Sequence, residues 1–241
     1  MSVRKALVTG ASRGIGLSIC RRLVDSGAEV VGIARHFDAR REDAPWTATI
    51  EHDLSDDRVL DGFAKRLASD HGDADAIILC AGAGRFAPLE SLSAGDIRYL
   101  LNLNLLAPMI LSRAFVPGFK KRRRGDIVFI GSEASHQPGP RGTAYCASKF
   151  GLRGFSLSLR IECAARGVRV SLVNPGLTDT NFYDSEAFKP GAGDNQHLRA
   201  EDIADAVSMV LSAPSGTVFD EINLTPATRV IDFGKRRDDD R

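Results

Sequence analysis

Ser132, Tyr145 and Lys149 are the residues of this 241-residue chain whose types and spacing could do chemistry together. The apolar spacing of Phe150, Leu152, Phe155, Leu157, Leu159 and Ile161 predicts a helix from about residue 143. Tyr145 and Lys149 are then an i, i+4 pair on one helix face. A free phenol titrates at about pH 10 and is a poor proton donor or acceptor near neutrality. An ammonium held within roughly 4 to 6 Å favours phenolate and would make Tyr145 a general acid/base. Alone, the pair is also what a half-buried aromatic beside a solvated lysine would look like, so its meaning rests on the elements around it.

Those elements alternate. Ala6 to Thr9 reads as a short buried strand that runs into Gly10-Ala11-Ser12-Arg13-Gly14-Ile15-Gly16, after which Leu17, Ile19, Cys20, Leu23 and Val24 repeat at helical spacing. Strand, glycine-rich turn and helix in that order suit a pyrophosphate lying at a helix N-terminus. A second strand, Glu29 to Ala34, ends at Arg35; with no acidic residue there for a ribose hydroxyl, Arg35 and Arg13 point to a 2′-phosphate. A third strand spans Thr47 to Glu51 and leads to Asp53-Leu54, and Asp56 to Ser69 carries a helical pattern. Ala76 to Cys80 is an apolar run ending in Ala81-Gly82-Ala83-Gly84.

Ser93 to Phe115 reads as one long amphipathic helix containing Asn102 and Asn104, each by itself most simply a solvent-facing side chain. Asp126 to Ile130 is a fifth strand closing on Ser132, and Val168 to Val173 a sixth, ending Asn174-Pro175-Gly176-Leu177-Thr178-Asp179-Thr180. Phe182 to Leu198 reads as a mobile loop over a site, Ile203 to Leu211 as a helix and Val218 to Leu224 as the last strand. The alternation predicts an α/β fold, a single Rossmann-type doubly wound parallel sheet over residues 1–233, with a charged, disordered tail at 234–241. Gly10, Arg35, Asp53, Gly82, Ser132 and Pro175 then stand at six successive strand ends and line one crevice.

Composition narrows the classes. A hydrophobic fraction of 43% with 26% charged residues supports a sizeable core, and a net charge of +1 argues against a nucleic-acid binder. The run Lys120 to Arg124 reads as a solvated loop rather than a nucleic-acid patch. The uninterrupted apolar runs are short, so no membrane span or secretory signal is expected. Cys20, Cys80, Cys146 and Cys163 are scattered without metal-ligand spacing, which predicts no metal and fits a cytoplasmic protein with reduced thiols.

With these residues in hand, the chain resembles the short-chain dehydrogenase/reductase family from about Val3 to Pro226. The matches are Thr9-Gly10-Ala11-Ser12-Arg13-Gly14-Ile15-Gly16, Asp53-Leu54, Ala81-Gly82, Asn104, Ser132, Tyr145-x-x-x-Lys149 and Pro175-Gly176 with Thr180. The resemblance implies a catalytic tetrad of Asn104, Ser132, Tyr145 and Lys149. In it Ser132 polarises a substrate carbonyl and Tyr145 exchanges the proton, Lys149 binds the nicotinamide ribose and lowers the Tyr145 pKa, and Asn104 anchors a water. It implies cofactor contacts from Gly10, Ser12, Arg13, Gly14, Ile15, Gly16, Arg35, Asp53, Leu54, Ala81, Gly82, Asn104, Tyr145, Lys149, Pro175, Gly176, Thr178 and Thr180.

The implied protein is an NADP(H)-dependent homodimer or homotetramer acting on a small carbonyl or alcohol, with no nucleic-acid or membrane partner. Cys80 departs from the family's Asn before Ala81-Gly82 and removes one side-chain hydrogen bond there. A catalytically weak dinucleotide-binding regulatory or scaffold protein is the alternative, which cofactor turnover would separate from the first. Glu133, His136, Arg141, Arg85 and the loop after Thr180 are substrate-pocket candidates by position.

Overall fold

The buried apolar runs of the sequence become the strands of one sheet, seen in a computed structural model that describes residues 3–38 and 44–233. The tail expected to be disordered, 234–241, lies outside the described residues. Strands β1 (Lys5–Thr9), β2 (Glu29–Ala34), β3 (Ala48–Glu51), β4 (Ala76–Leu79), β5 (Gly125–Ile130), β6 (Val168–Pro175) and β8 (Glu221–Leu224) pair in the order β3-β2-β1-β4-β5-β6-β8, every pair parallel. β7 (Lys189–Pro190) forms a separate two-stranded antiparallel ladder with β9 (Ile231–Asp232).

Helices cover both faces, as a parallel sheet requires. On one side α2 (Asp57–Asp70), α4 (Ala107–Arg122) and α5 (Thr143–Ala164) bury Leu60, Phe63, Leu111, Phe115, Phe119 and Leu152 against Leu7, Ile77, Ile127 and Phe129. On the other, α1 (Gly14–Asp25) and α6 (Ala200–Ser212) bury Ile19, Leu23, Ile203 and Val207 against Val8, Ile78 and Val128. The strand order reverses beside β1, where β2 lies on one side and β4 on the other. That places the ligand crevice of a doubly wound sheet at the carboxyl ends of β1 and β4.

Three of the expected elements change. The long helix expected from Ser93 to Phe115 is α3 (Ala94–Leu101), a π-helical turn (Asn102–Leu106) and α4, which runs on to Arg122. Pro108 has no N–H to give the Asn104 carbonyl four residues back, and the Ala107 N–H reaches five back, to Asn102. The whole stretch 94–122 is long and apolar enough to cross a membrane by length and composition alone. Here Leu103, Leu111, Phe115 and Phe119 are spent in the core under the sheet. The segment after Thr180 is not a featureless loop: it carries a 3₁₀ turn at Asn181–Tyr183 and then β7, anchored by β9. The last sheet strand begins at Glu221 rather than Val218.

The basic run is structural. Lys120 pairs with Glu162 (2.7 Å) and Arg124 with Asp75 (2.8 Å), while Arg122 donates to the Gly72 and Ala74 carbonyls. Arg123 takes the left-handed conformation (φ 54°) that ends α4. Lys120, Arg122 and Arg124 tie the end of α4 to α5 and to the loops before β4, while Lys121, Arg122 and Arg123 stay exposed; the expected solvated loop is thus a solvated helix end.

Candidate active site

Gly10, at the end of β1, has φ +69°, and a side chain there would stand 3.0 Å from the Ala81 Cα. The end of β1 and the end of β4 are therefore in backbone contact, and the Thr9 hydroxyl reinforces the junction by accepting the Cys80 and Ala81 N–H groups, both at 3.0 Å. Gly16 approaches the same turn so closely that a Cβ would collide with the Gly10 carbonyl. This is the packing that the third glycine of a dinucleotide turn provides.

α1 starts without a cap. Arg13 at its N-cap makes no side-chain capping bond, and no acidic residue stands in its first turn. By contrast Asp56 caps α2 and Ser93 caps α3. Free N–H groups at a helix N-terminus, with Gly14 (φ +54°) placed so that a side chain there would stand 3.5 Å from Thr180, form a cradle suited to a pyrophosphate. The Ala11 N–H donates to the Ile33 carbonyl (3.3 Å), so Arg13 and Arg35 each lie two residues beyond one contact, and both are exposed. Asp53 accepts from the Ser55 N–H (2.9 Å) and hydroxyl (2.7 Å). Burial would raise its pKa, but those bonds and the nearby Arg35 charge hold the carboxyl below its usual range. Leu54 is buried in the core beneath it.

The four tetrad candidates converge at the ends of β4 and β5. Asn104, 1% exposed, is gripped by the π-turn: its Oδ1 accepts the Ala83 N–H (2.9 Å), and its Nδ2 donates to the Ala83 carbonyl (2.9 Å) and the Ser148 hydroxyl (3.1 Å). Asn102 donates to the Ser55 carbonyl (3.1 Å), so neither asparagine faces solvent unpartnered. A side chain at Gly82 would fill the space between Asn104 Oδ1 (3.3 Å) and Lys149 Nζ (3.6 Å). Ser132 Oγ accepts the Ala134 N–H (3.1 Å), which leaves its own proton for the Tyr145 phenol beside it.

Tyr145 differs from the expectation of a lowered pKa. Burial pushes its phenol up to about 12, outweighing the Ser132 hydroxyl, which lowers it. Lys149 Nζ lies 5.9 Å from the phenol ring centre and donates to the Ile130 carbonyl (3.0 Å), which holds it at the end of β5. Burial in turn lowers the Lys149 pKa to about 8, with Cys80 acting in the opposite sense. Phe86 and Phe182 close over Tyr145, at ring separations of 5.1 and 5.9 Å, and Phe188 extends the same wall from Phe86 at 5.0 Å.

On the β6 side, Gly176 donates to the Leu224 carbonyl (2.7 Å), the Thr178 hydroxyl donates to the Gly176 carbonyl (3.0 Å), and Thr180 caps the 3₁₀ turn. Pro175 closes β6 in register with Leu224. Of the pocket candidates, Glu133 pairs with Arg229 (3.0 Å) next to Ser132, while Arg85 pairs with Asp96 (3.4 Å). His136 turns toward Glu221, and Arg141 is exposed in a left-handed conformation. Sequence reasoning missed the aromatic wall and the Glu221 cluster. Arg153, four residues beyond Lys149 on the same helix face, was the legible trace of the cluster.

A sheet of this order, an uncapped helix after a glycine turn and a Ser-Tyr-Lys convergence define a dinucleotide-dependent oxidoreductase. The chain belongs to the short-chain dehydrogenase family, whose model matches residues 4–189. It is similar to the 3-oxoacyl-acyl-carrier-protein reductase FabG of Haemophilus influenzae, 31% identical over 90% of this chain and 94% of that one. It is also similar to the NADP-dependent 3-hydroxy acid dehydrogenase YdfG of Salmonella typhi, 30% identical over 92% and 95% of the two chains. A metagenomic short-chain oxidoreductase in complex with NADP superposes with a TM-score of 0.78 at 34% identity, covering 94% of this chain and 99% of that one. A larger relative matches over 239 residues that make up 19% of its length.

Proposed function

We propose that the protein interconverts a carbonyl, in a ketone, 3-oxoacyl group or keto acid, and a secondary alcohol, using NADP(H), with Tyr145 as general acid/base. The observation that carries this is the convergence of the Ser132 hydroxyl proton, the Tyr145 phenol and Lys149 at one strand end beside the Gly82 cradle. When bound, the dinucleotide supplies or takes the hydride. The chain's residues do the rest: Ser132 holds and polarises the carbonyl oxygen, and Tyr145 gives that oxygen its proton in the direction of reduction. Lys149 places a positive charge at the ribose side, and Asn104 holds the Ala83 backbone in place beside it through both ends of its amide. The Phe86, Phe182 and Phe188 wall favours an apolar group next to the carbonyl. The four unpaired cysteines fit a cytoplasmic setting.

The NADP(H) assignment draws support from Arg13 and Arg35 at one corner and from Ala34, which offers no carboxylate to a free ribose hydroxyl. Two relatives are named for NADP as well. A charge-assisted hydrogen bond contributes about 1.5 to 3 kcal/mol, so one effective arginine gives about ten- to a hundred-fold discrimination. Titration of both cofactors into the wild type and an Ala34→Asp, Arg35→Ala double variant tests it. The wild type should prefer NADPH and the variant should move toward NADH; equal wild-type affinities would remove the assignment.

A further inference from the structure

Glu221, on β8, is a largely buried carboxylate with four donors and no part in the family resemblance. Its Oε1 accepts from Arg153 Nε (2.9 Å), Asn174 Nδ2 (2.7 Å) and His136 Nε2 (2.7 Å), and its Oε2 accepts from Arg153 Nη2 (3.1 Å). Counting hydrogens fixes the roles. Asn174 Oδ1 accepts the Ser132 N–H (3.2 Å), which sets the orientation of the amide. Asn174 Nδ2 then has two hydrogens for three neighbours: Glu221 Oε1, Asn223 Oδ1 (2.9 Å) and His136 Nε2 (3.0 Å). The carboxylate brings no hydrogen of its own, so His136 Nε2 carries one to Glu221 and the Asn174 pair goes to Glu221 and Asn223.

The cluster joins the two pieces of chain that hold the proton-transfer pair. Arg153 follows Tyr145 and Lys149 at i+8 and i+4, so all three project from one side of α5. Asn174 and His136 hold the other piece, the turn after β5 that presents Ser132. Gly131 belongs to the same junction, since a side chain there would collide with Asn174 Oδ1. Glu221 touches neither Ser132 nor Tyr145; the two pieces also pack directly where Ala134 clusters with Tyr145 and Cys146, and Glu221 adds a polar tie between them.

We propose that Glu221 is a positioning residue for the reaction, fixing the Ser132 backbone through Asn174 and the Tyr145 helix through Arg153 so that hydroxyl and phenol stay in register. This rests on the reaction proposed above. A displacement of about 1 Å between reacting groups costs on the order of a hundred-fold in rate. The groups that face the Tyr145 phenol are Ser132, Glu133, Cys146, Lys149 and the Tyr183 phenol, and of these Ser132 is the one the cluster holds by hydrogen bond.

A double-mutant cycle tests it. Glu221→Gln should lower kcat about tenfold or more while NADPH affinity stays within about twofold, and in a Ser132→Ala background the same change should cost less than about twofold. An unchanged kcat, or an equal loss in both backgrounds, overturns the proposal. Arg153→Lys keeps the charge but not the fork, and should repeat the pattern more weakly if Glu221→Gln does not fold. A wild type that reduces no carbonyl would sink the proposed reaction, and a readout without substrate then decides this one. The Tyr145 phenol can be titrated by its ultraviolet difference from Tyr145→Phe in a chain of three tyrosines. Its midpoint should rise in Glu221→Gln as the Ser132 hydrogen bond slackens, and an identical midpoint would remove the positioning role.

Discussion

In the proposed reaction Tyr145 donates a proton from surroundings that hold that proton firmly. The residue is 6% exposed, its phenol is pushed up to about 12 by burial, and the one neighbour that lowers it is the Ser132 hydroxyl. Such a group is fully protonated through the neutral range, which suits carbonyl reduction and disfavours alcohol oxidation until the pH is raised. Tyr145→Phe should abolish turnover while NADPH binds within a few fold of wild type, because the change removes a transferable proton and little contact area. A variant that keeps most of its kcat would end the assignment. Lys149 titrates in the opposite sense. Its free-protein pKa is pulled down to about 8 by burial, so its positive charge is present below that value and lost as the pH rises through it. The kcat/KM for NADPH should therefore be level at pH 6 to 7 and decline with an inflection near pH 8, and NADPH affinity of Tyr145→Phe should show the same inflection. A profile level to pH 10 would mean that the lysine charge takes no part.

At the scale of elements, the π-turn between α3 and α4 shows what the sequence carried and what it concealed. Helix, strand and loop order were legible because apolar runs and glycine turns are local signals, and so were Gly10, Ser132, Tyr145 and Lys149 at the ends of elements. Asn104 was legible as a motif residue but not as a buried one. Only the fold brings Ala83, some twenty residues earlier, to both ends of its amide. The Tyr145 pKa was misjudged for the same reason: i, i+4 spacing fixes a shared helix face, whereas burial and the Ile130 carbonyl that holds Lys149 are long-range facts. Glu221 had no local signal at all. Asn104→Ala tests how much the turn depends on its amide. It leaves the Ala83 N–H and carbonyl without their partner in a part-buried setting, at a cost of about 1 to 3 kcal/mol for each group left unpaired. Thermal unfolding should shift downward by several degrees, with loss of turnover; an unshifted midpoint would show that solvent replaces the amide freely.

For the whole molecule, the question is what covers the outer face of α5. Tyr145, Lys149 and Arg153 look inward, while Phe150 (42% exposed), Gly154, Leu157 and Ile161 (79% exposed) follow one another at i, i+4, i+7 and i+11. Eleven residues make about three helical turns, so this is one stripe. A side chain at Gly154 would meet nothing, which leaves room for a second helix to come close. A stripe of this kind is self-complementary about a two-fold axis, with Phe150 of one copy facing the Ile161 end of the other. The protein should therefore be a homodimer or a higher homo-oligomer at micromolar concentration by light scattering. Ile161→Lys, remote from the Tyr145 face, should halve the mass because each two-fold contact places the new charge in the interface twice, with no opposite charge to meet it. A wild type that is monomeric, or an Ile161→Lys variant of unchanged mass, would place the interface elsewhere. Because α5 carries Tyr145 and Lys149 on its inner side, dissociation should also lower kcat in proportion to the fraction of monomer, an effect that dilution of the wild type would reproduce.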